Sequence, residues 1–435
     1  MNLARQDIPA RGDYALLNAR IPIMLAEGLT LRAIDPAAQL ALADLAIIEG
    51  QLAPLDPSST LPRVDLAGAL LLPTFTDMHV HLDKAYTVGR TGLPANGLGD
   101  AVRLSIADHP NRTAADLERR MEFALRCAYA NGTAVMRSHL DTLDLPGATP
   151  AWAVFDRLRE RWRGRIDLQG CGLMALARVM HDNFDARCAE LAQRDAALGI
   201  FMDDQAEPAV LDLLLARAQT HGLDLDFHVD ETLDANAGGL AAIADAKLRT
   251  GFAGRMTVGH CCALATKPDV DASALIDLVA RAGIDVVSLP LTNLFLMDRA
   301  PSRTPRQRGM TLVNELSAAG VRVSFGSDNV CDPFFAYGNF DMLEVLSTAV
   351  RVGHLDADLA SMIAAVTDRP ATAIGRHGVN RLAVGSAADF VAFRATNWTQ
   401  LLSRPHSDRV VVRQGRAIAD QVPGFDELKV LEAQA

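Results

Sequence analysis

The sequence has only four lysines, no Cys-x-x-Cys pair and no apolar run long enough to cross a bilayer. Its six cysteines are scattered through apolar stretches, which is typical of reduced core thiols and argues against a structural zinc ribbon. The net charge of −11 argues against a nucleic-acid partner, because phosphate recognition needs clustered cations. These absences favour a globular protein that acts on small molecules.

The first residues also lack the charged and then apolar pattern of a secretion signal, so we expect a cytoplasmic protein with no membrane partner. Apolar residues make up 49% of the 435 residues, which is ample for a large core. Because a chain of this length exceeds the usual single-domain range, we expect one large domain with a smaller appendage.

The middle of the chain alternates short β-type runs with amphipathic helical patterns, for example Ala114–Ala130 and residues 273–282. This alternation is typical of parallel strands covered by helices. Eight strands are predicted, over residues 68–81, 132–141, 166–176, 199–202, 223–228, 256–260, 284–289 and 321–326. The predicted fold class is therefore α/β, with a (β/α)8 TIM-type barrel.

The two ends of the chain have a different pattern, in which β-prone segments are separated by glycine, proline and aspartate turns. These segments cover residues 13–22, 40–52, 388–394 and 409–418. They predict a small β-sandwich domain built from both termini. The expected boundaries are residues 1–68 and 379–435 for the small domain and 69–378 for the barrel.

Two histidines, His79 and His81, stand at the end of the first predicted barrel strand. Side chains two residues apart on a strand point to the same side, so both imidazoles can reach one cation. Other reactive side chains follow three more predicted strands, namely His228 with Glu231, His260, and Asp328. Because the reactive residues of such barrels lie at the carboxyl ends of strands, we expect all of them to converge on one face.

Several short segments together resemble the amidohydrolase superfamily, and within it the cytosine deaminase-like branch that uses one metal ion. The resemblance covers nearly the whole chain. Its carriers are residues 73–83 (PTFTDMHVHLD), 137–141 (RSHLD), 228–231 (HVDE), 259–264 (GHCCAL), 290–293 (PLTN), 308–309 (RG) and 325–333 (FGSDNVCDP).

The resemblance implies roles for the strand-end residues. It makes Glu231 the proton shuttle, gives His260 the task of orienting the nucleophile or polarising the attacked carbon, and lets Asp328 pass a proton to the departing amine. The implied metal ligands are His79, His81, His228 and Asp328. Three neutral imidazoles and one carboxylate hold a divalent ion while leaving a position for water, whose pKa the ion lowers.

No lysine lies between Lys84 and Lys247. The fourth strand therefore cannot supply the carboxylated lysine that bridges two metals in some amidohydrolases. We expect one divalent ion, with zinc, iron and also manganese compatible with the ligand types.

Each site residue has a structural alternative. His228 and Glu231 would also suit a helix start, and His260 would suit a satisfied core position. Asp328 precedes an asparagine and would suit a turn.

Candidate substrate contacts are Lys84, His139, Arg178, Asn329 and Phe334. The third-strand region has no glutamine where cytosine deaminases read an amide edge, and Arg178 there would contact an anion instead. Asn329 replaces a second aspartate and Lys84 replaces a neutral residue of those enzymes, so both make the pocket less acidic. Lys84 and Arg178 would equally suit ion pairs with Asp83 and Asp182. His139 would equally suit a position that supports the metal ligands or one that packs the barrel. Phe334 would equally suit the core.

The sequence thus predicts a hydrolase of carbon–nitrogen bonds other than peptide bonds, which removes an exocyclic amine or alkylamine from a small nitrogen heterocycle. The alternative is a cyclic amidohydrolase that opens a hydantoin- or lactam-like ring, although the missing bridging lysine counts against it. A non-enzymatic metal- or ligand-binding protein is disfavoured because every expected catalytic residue type is present. The resemblance also implies a homo-oligomer.

Overall fold

The computed structural model describes residues 8–9, 12–142, 150–202, 206–404 and 409–428. Eight strands form one sheet in which strands adjacent in the sequence are neighbours in space. They are β1 (Phe75–Val80), β2 (Thr133–Asp141), β3 (Asp167–Ala175), β4 (Ala197–Phe201), β5 (Leu225–Val229), β6 (Met256–His260), β7 (Asp285–Ser288) and β8 (Val323–Phe325). A parallel bridge between Val80 and Asp328 joins the first and last strands, so the sheet closes into the predicted barrel.

The predicted first strand, residues 68–81, is two strands in the structure. Leu71–Pro73 pairs antiparallel with Phe390–Phe393, and only Phe75–Val80 enters the barrel. Pro73 has no N–H to continue a hydrogen-bonded ladder. The residues on both sides of the break are buried. The alternation of apolar and polar residues therefore does not change there, and the sequence gives no sign of the break.

Among the described residues, ten helices lie between β1 and β8 along the chain. They are Val88–Thr91, Gly97–Ala107, Ala114–Ala130, Ala151–Arg161, Phe184–Gln193, Pro208–His221, Gly239–Thr250, Asp269–Ala282, Pro290–Leu296 and Val313–Ala318. Short 3-10 turns occupy His109–Asn111, Leu176–Met180 and Cys262–Thr266. Gly222, Gly251 and Gly283 end three of the helices in the left-handed conformation that favours glycine.

Contacts divide the chain into two compact units. The first comprises Met1–Thr76, Arg126–Val135 and Asp341–Gly424, and the second comprises Asp77–Leu125, Met136–Phe340 and the residues from Phe425 onward. All the predicted site residues belong to the second unit. The predicted boundaries at residues 68 and 379 stay a prediction about independent domains.

The first unit contains strands from both ends of the chain. One sheet comprises Leu31–Asp35, Leu40–Ile48, Tyr14–Pro22, Arg63–Asp65 and Gln51–Pro54, and another comprises Arg416–Ala417, Arg409–Arg413, Phe390–Phe393 and Leu71–Pro73. A short pair joins Leu382–Ala383 to Ala26–Glu27. Its helical elements are Ile23–Leu25, Met342–Gly353, Asp356–Asp358, Leu359–Ala364, Asp368–Ala373 and Trp398–Ser403. Side chains from both chain ends, including Tyr14, Leu16, Phe390 and Val412, share one buried core.

None of the helices in the described part of the chain combines the length and the apolar composition that a membrane span requires.

Candidate metal centre and active site

Three imidazoles and one carboxylate converge where β1, β5 and β8 end. The Nε2 atom of His228 lies 3.1 Å from Nε2 of His79 and 3.2 Å from Nε2 of His81. The Asp328 Oδ1 atom lies 3.2 Å from Nε2 of His81 and 3.7 Å from Nε2 of His79. All four side chains are buried. The structure therefore brings together the four residues that the sequence predicted as metal ligands.

The spacing of these four atoms fits a bound divalent ion. Ligand atoms at about 2.0–2.1 Å from a tetrahedral zinc-type ion stand about 3.3 Å apart, close to the distances between these four atoms. Hydrogen bonds alone do not explain the arrangement, because each neutral ring has one N–H and cannot satisfy two inward-facing neighbours with it. His260 and His139 lie within 4.8 Å of members of the cluster, in separate groups of three. The shorter contacts favour the four predicted ligands.

The three ligand histidines are held neutral. Burial lowers the pKa of His79, His81 and His228 well below the usual value. The neighbouring histidines, and Lys84 in the case of His81, lower it further because adjacent groups cannot all carry a positive charge. A neutral imidazole keeps the lone pair that a metal ion needs. The donor set is therefore ready to bind a cation at neutral pH.

Three residues at strand ends adopt the left-handed backbone conformation, which is uncommon outside glycine. They are Asp230 (φ +49°), His260 (φ +69°) and Asp328 (φ +62°). Such conformations store strain and are concentrated at functional sites. Here they turn the chain sharply after β5, β6 and β8.

Glu231 and His260 lie next to one another beside the ligand cluster, and both line the cavity described below. Glu231 Oε1 is 3.3 Å from His260 Nδ1. Burial, and then the nearby Asp328 carboxylate, raise the pKa of Glu231 well above its usual value. A carboxyl group with a pKa raised in this way can hold a proton that an ordinary glutamate would already have lost.

The neighbouring Asp230 has a structural role. Its carboxylate accepts hydrogen bonds from the backbone N–H groups of Gly239 (2.9 Å) and Leu240 (3.2 Å), at the start of helix Gly239–Thr250. This is the helix-start arrangement that the sequence left open for the segment around Glu231. Asp230 takes that role, and Glu231 faces the cavity.

A cavity of about 370 Å³ opens over the ligand cluster. Four of the predicted substrate contacts line it, namely Lys84, Arg178, Asn329 and Phe334. His139 does not line it; its ring stacks against His79 with centroids 4.0 Å apart, and its side chain is fully buried. The structure therefore places His139 behind the ligands and not on the cavity wall.

Lys84 is a buried cation at the edge of the cluster. Its Nζ donates to Asp141 Oδ1 at 2.6 Å and lies 3.4 Å from His81 Nδ1. Burial lowers the pKa of Lys84, but Asp141 and then Asp83 offset this effect and leave the pKa raised. Lys84 therefore stays charged, with its main carboxylate partner also on the cavity wall.

The other cationic and polar candidates have local partners. Arg178 Nη1 lies 3.1 Å from His181 Nδ1. The alternative ion pair of Arg178 with Asp182 stays a prediction. Asn329 donates to Asp332 Oδ2 at 2.6 Å. Phe334 lines the cavity, whereas the adjacent Phe335 packs against Phe295.

Sequence reasoning missed one whole wall of the cavity. Helix Gly97–Ala107, here called the wall helix, contributes Leu98, Val102, Ser105 and Ile106 to the lining. Leu98, Val102 and Ile106 are apolar and a single serine is common in helices, so no motif marks these lining residues. Asp141 was also missed, although it ends the quoted segment 137–141, because a strand-end aspartate has many structural uses.

Beneath the ligands, a polar cluster occupies the barrel interior. Arg137 donates to Asp226 Oδ2 at 3.0 Å and to Gln169 Oε1 at 2.8 Å. Asp226 Oδ1 lies 3.2 Å from His139 Nε2. These groups are buried, and the two hydrogen bonds of Arg137 join Gln169 and Asp226 beneath the ligand cluster.

A closed α/β barrel with three histidines and one aspartate at the carboxyl ends of its strands defines a metal-dependent hydrolase of the TIM-barrel type. The profile of the amidohydrolase family matches residues 177–419. The chain belongs to this family, and it is a hydrolase of carbon–nitrogen bonds other than peptide bonds, as the sequence predicted.

Comparison with known proteins supports the assignment over the full length. The chain is 43% identical to a pterin deaminase of Rhizobium rhizogenes, over 97% of each sequence. It is 23% identical to an N-isopropylammelide isopropyl amidohydrolase of Pseudomonas sp., over 82% of this chain and 87% of the relative. The crystal structure of 5-methylcytosine deaminase from Klebsiella pneumoniae shares the fold, with a TM-score of 0.78, 23% identity and coverage of 94% of this chain and 98% of that one.

Proposed function

We propose that this protein is a metal-dependent deaminase that hydrolyses the exocyclic amino group of a pterin-type heterocycle, a fused ring bearing a 2-amino and a 4-oxo group. The observation that carries the substrate class is the 43% identity to a pterin deaminase over 97% of both chains. The cavity volume of about 370 Å³ lies within the range of small-molecule sites, about 300–1,000 Å³.

The reaction adds one water molecule and releases one ammonia molecule. Water oxygen forms a bond to the ring carbon that bears the amino group, a ring nitrogen gains a proton, and the carbon–nitrogen bond to the amine then breaks. The product carries an oxo group where the substrate carried the amine. The pteridine ring itself stays closed.

One divalent ion, zinc or iron and also manganese, would be held by His79, His81, His228 and Asp328. When bound, the ion supplies a water molecule of lowered pKa and neutralises charge at the reacting carbon. The single set of four converging ligand atoms supports one ion, as does the lack of any lysine between Lys84 and Lys247.

Glu231 moves the first of the two protons of the reaction. It lies on the cavity wall next to His260 and in an environment that raises its pKa. A carboxylate there takes a proton from water, and the resulting acid gives the proton to the ring nitrogen. Asp328 takes the second proton and passes it to the amine, which then leaves as neutral ammonia.

Lys84 and Arg178 bind the electron-rich edge of the substrate. Both are cationic groups on the cavity wall, and Lys84 is only 5% exposed, so a contact with a carbonyl oxygen there is shielded from water. Asn329 supplies a polar amide, and Phe334 supplies an apolar surface for the ring face. His139 holds the ligand cluster from behind.

The test is mass spectrometry of products from the purified, metal-loaded protein with pterin, cytosine, isocytosine, isoguanine, aminotriazines and cyclic amides. We expect replacement of NH by O in pterin, with faster turnover than for the monocyclic amines. Loss of a whole alkylamine from an alkylaminotriazine as the preferred reaction would move the assignment to dealkylation. Addition of water with nothing lost would show ring opening and overturn the proposal.

The physiological partner is then a small nitrogen heterocycle. We expect the protein to act in the cytoplasm as a homo-oligomer, as its sequence predicts. Light scattering of the purified protein measures its mass directly, and a mass of one chain would contradict the oligomer prediction.

A further inference from the structure

Asn293 is a buried polar residue from the segment 290–293, to which the deamination mechanism above gives no role. It lies in helix Pro290–Leu296, directly after β7, and is 1% exposed. Its Nδ2 atom lies 2.9 Å from His260 Nδ1. This contact is shorter than the 3.3 Å between His260 Nδ1 and Glu231 Oε1.

The chemistry of the two groups determines which of them donates the hydrogen bond. An amide NH2 group only donates hydrogen bonds, so His260 Nδ1 must accept one. A neutral imidazole carries a single proton, which then resides on Nε2. His260 Nε2 is buried and has no hydrogen-bond partner among the described residues, while the His260 side chain lines the cavity.

We infer that Asn293 is a positioning residue, which holds His260 in the Nε2–H tautomer so that the ring acts as a hydrogen-bond donor in the cavity. The unpartnered N–H is the group that would meet the oxygen of the attacking water or a heteroatom of the substrate. This inference rests on the proposed deamination for its catalytic meaning, but the tautomer itself is independent of any substrate.

The same contact affects Glu231. If His260 Nδ1 carried the proton, it would donate to the Glu231 carboxylate 3.3 Å away and stabilise that carboxylate as a fixed ion pair or hydrogen-bonded acceptor. With Nδ1 occupied by the Asn293 amide, His260 has no proton to offer on that side. Glu231 thus remains available to exchange protons with water and substrate.

The surrounding chain holds both partners rigidly. The Thr311 Oγ1 hydroxyl donates to the His260 carbonyl oxygen at 2.8 Å, and His260 itself has a left-handed backbone conformation. The Asn293 backbone N–H donates to the Leu289 carbonyl oxygen at 3.1 Å. These contacts hold the two backbones. Because both side chains are also buried, the amide stays against the ring, and its orientation selects the tautomer.

The first test is the tautomer of His260 in the zinc-loaded protein. Long-range proton–nitrogen NMR spectra of histidine labelled with nitrogen-15 distinguish Nε2–H from Nδ1–H rings, and the His260→Gln variant identifies the signal. We expect the Nε2–H pattern in the unsubstituted protein. A Nδ1–H pattern would overturn the inference, whatever the substrate proves to be.

The second test substitutes Asn293. Asn293→Asp keeps the shape but presents only acceptor oxygens, so we expect the His260 proton to move to Nδ1 or the ring to become doubly protonated. We expect kcat to fall about 100-fold, with KM within about threefold and zinc content unchanged. Asn293→Leu, which removes the hydrogen bond, should lower kcat similarly. Asn183→Asp, at an exposed helix start, is the matched control and should leave kcat unchanged.

The outcomes separate this inference from the proposed function. An Asn293→Asp variant with unchanged kcat and an unchanged His260 spectrum would show that Asn293 only supports the fold. An Nε2–H ring in a protein that does not deaminate pterin would sustain the positioning role and overturn the substrate proposal instead. If Asn293→Leu fails to fold, the spectrum of the unsubstituted protein still decides the tautomer.

Discussion

Glu231 and Asp328 are two carboxyl groups in one site with different surroundings. Asp328 touches the ligand histidines, at 3.2 Å from His81 Nε2, whereas Glu231 lies beside His260 on the cavity wall. Environments that separate the tasks of two acids allow one to bind a cation and the other to move protons. The different surroundings of Asp328 and Glu231 therefore suit them to different main roles in the reaction.

Replacing Glu231 separates metal binding from turnover. In Glu231→Gln the side chain keeps its size but cannot carry a proton, so we expect kcat to fall at least about 100-fold while the bound metal per chain stays constant. Metal analysis and product formation measured on one preparation check this. The exposed Glu315→Gln variant is the control, and full activity in Glu231→Gln would refute the shuttle role.

Replacing Lys84 tests the proposed substrate contact. Lys84→Met keeps the length of the stem and removes the cation, so we expect kcat/KM to fall about 10- to 100-fold, mainly through KM. Arg112, whose Nη1 lies 3.3 Å from Asp141 Oδ2, still pairs the aspartate that Lys84 leaves. Lys247→Met, outside the cavity, is the control. An unchanged KM in steady-state kinetics would assign Lys84 a purely structural role.

The metal ligands could be predicted from sequence because their residue types are chemically distinctive and each follows a strand. Asn293 and Asp141 could not be given roles in the same way. Asparagine and aspartate occur in many turns and helix starts, and only the distances to His260 and Lys84 show what they do. His139 was predicted as a substrate contact, but the structure places it behind the ligand cluster, because the side on which it lies depends on the pleat of β2.

The wall helix, Gly97–Ala107, is the element that shapes the cavity, and an ion network ties down both sides of it. Before the helix, Arg90 donates to Asp108 Oδ1 and to Asp116 Oδ1, each at 2.7 Å. Asp108 follows the helix directly, and Arg120 also binds Asp116 at 2.7 Å. Arg90 therefore joins the start and the end of the segment that carries the wall.

Asp116 makes this network sensitive to acid. Burial raises the pKa of Asp116, but hydrogen bonds from Arg90 and Arg120 outweigh burial and lower the pKa to about 2. A carboxyl group whose folded-state pKa is depressed stabilises the fold above its unfolded pKa, near 4, and loses that effect as the pH falls toward 2. The contribution above about pH 4 is roughly 2 kcal/mol.

Arg90→Met should therefore lower the unfolding temperature at about pH 6, and the difference from the unsubstituted protein should shrink as the pH falls from about 4 to about 3. Circular dichroism melts at several pH values measure it. Arg103→Met, which removes a more exposed partner of Asp100, is the control. A difference that stays constant with pH would show that Asp116 does not titrate with the network.

At the level of strands and helices, the sequence predicted all eight barrel strands and helix Ala114–Ala130, because apolar period and length mark them clearly. It joined Leu71–Pro73 to β1 because both are buried and the break is only one residue long. Tertiary pairing with Phe390–Phe393 decides that boundary, and such a pairing leaves no local signal.

Over the whole molecule, the alternation of strands and helices was sufficient to predict a closed barrel. The β-prone segments at the two chain ends were sufficient to predict sheets to which both ends contribute strands. The cavity volume and its apolar wall follow from how inserted segments fold over the barrel, which periodicity does not encode. Substrate identity is therefore the part of the function that sequence patterns reveal least, and the proposed pterin-type substrate rests on the full-length similarity to a pterin deaminase.

Metal binding should stabilise the molecule as a whole, since only the folded chain brings the four ligands together. With the ion at about 100 times its dissociation constant, the gain is about 2.7 kcal/mol, so chelation should lower the unfolding temperature by roughly 3 °C. Calorimetry of the zinc-loaded and chelated protein measures the shift. His228→Ala should abolish it and the exposed His377→Ala should not; an equal shift in both variants would place the ion elsewhere.

The most direct test of the proposed deamination is the stoichiometry of ammonia release from pterin by the zinc-loaded protein. One ammonia per pterin consumed, with the 2-oxo product formed in equal amount and no release by Glu231→Gln, is the predicted result. Intact pterin after incubation with folded, fully metal-loaded protein would contradict the proposed substrate class, and pterin consumed without ammonia would contradict hydrolytic deamination itself.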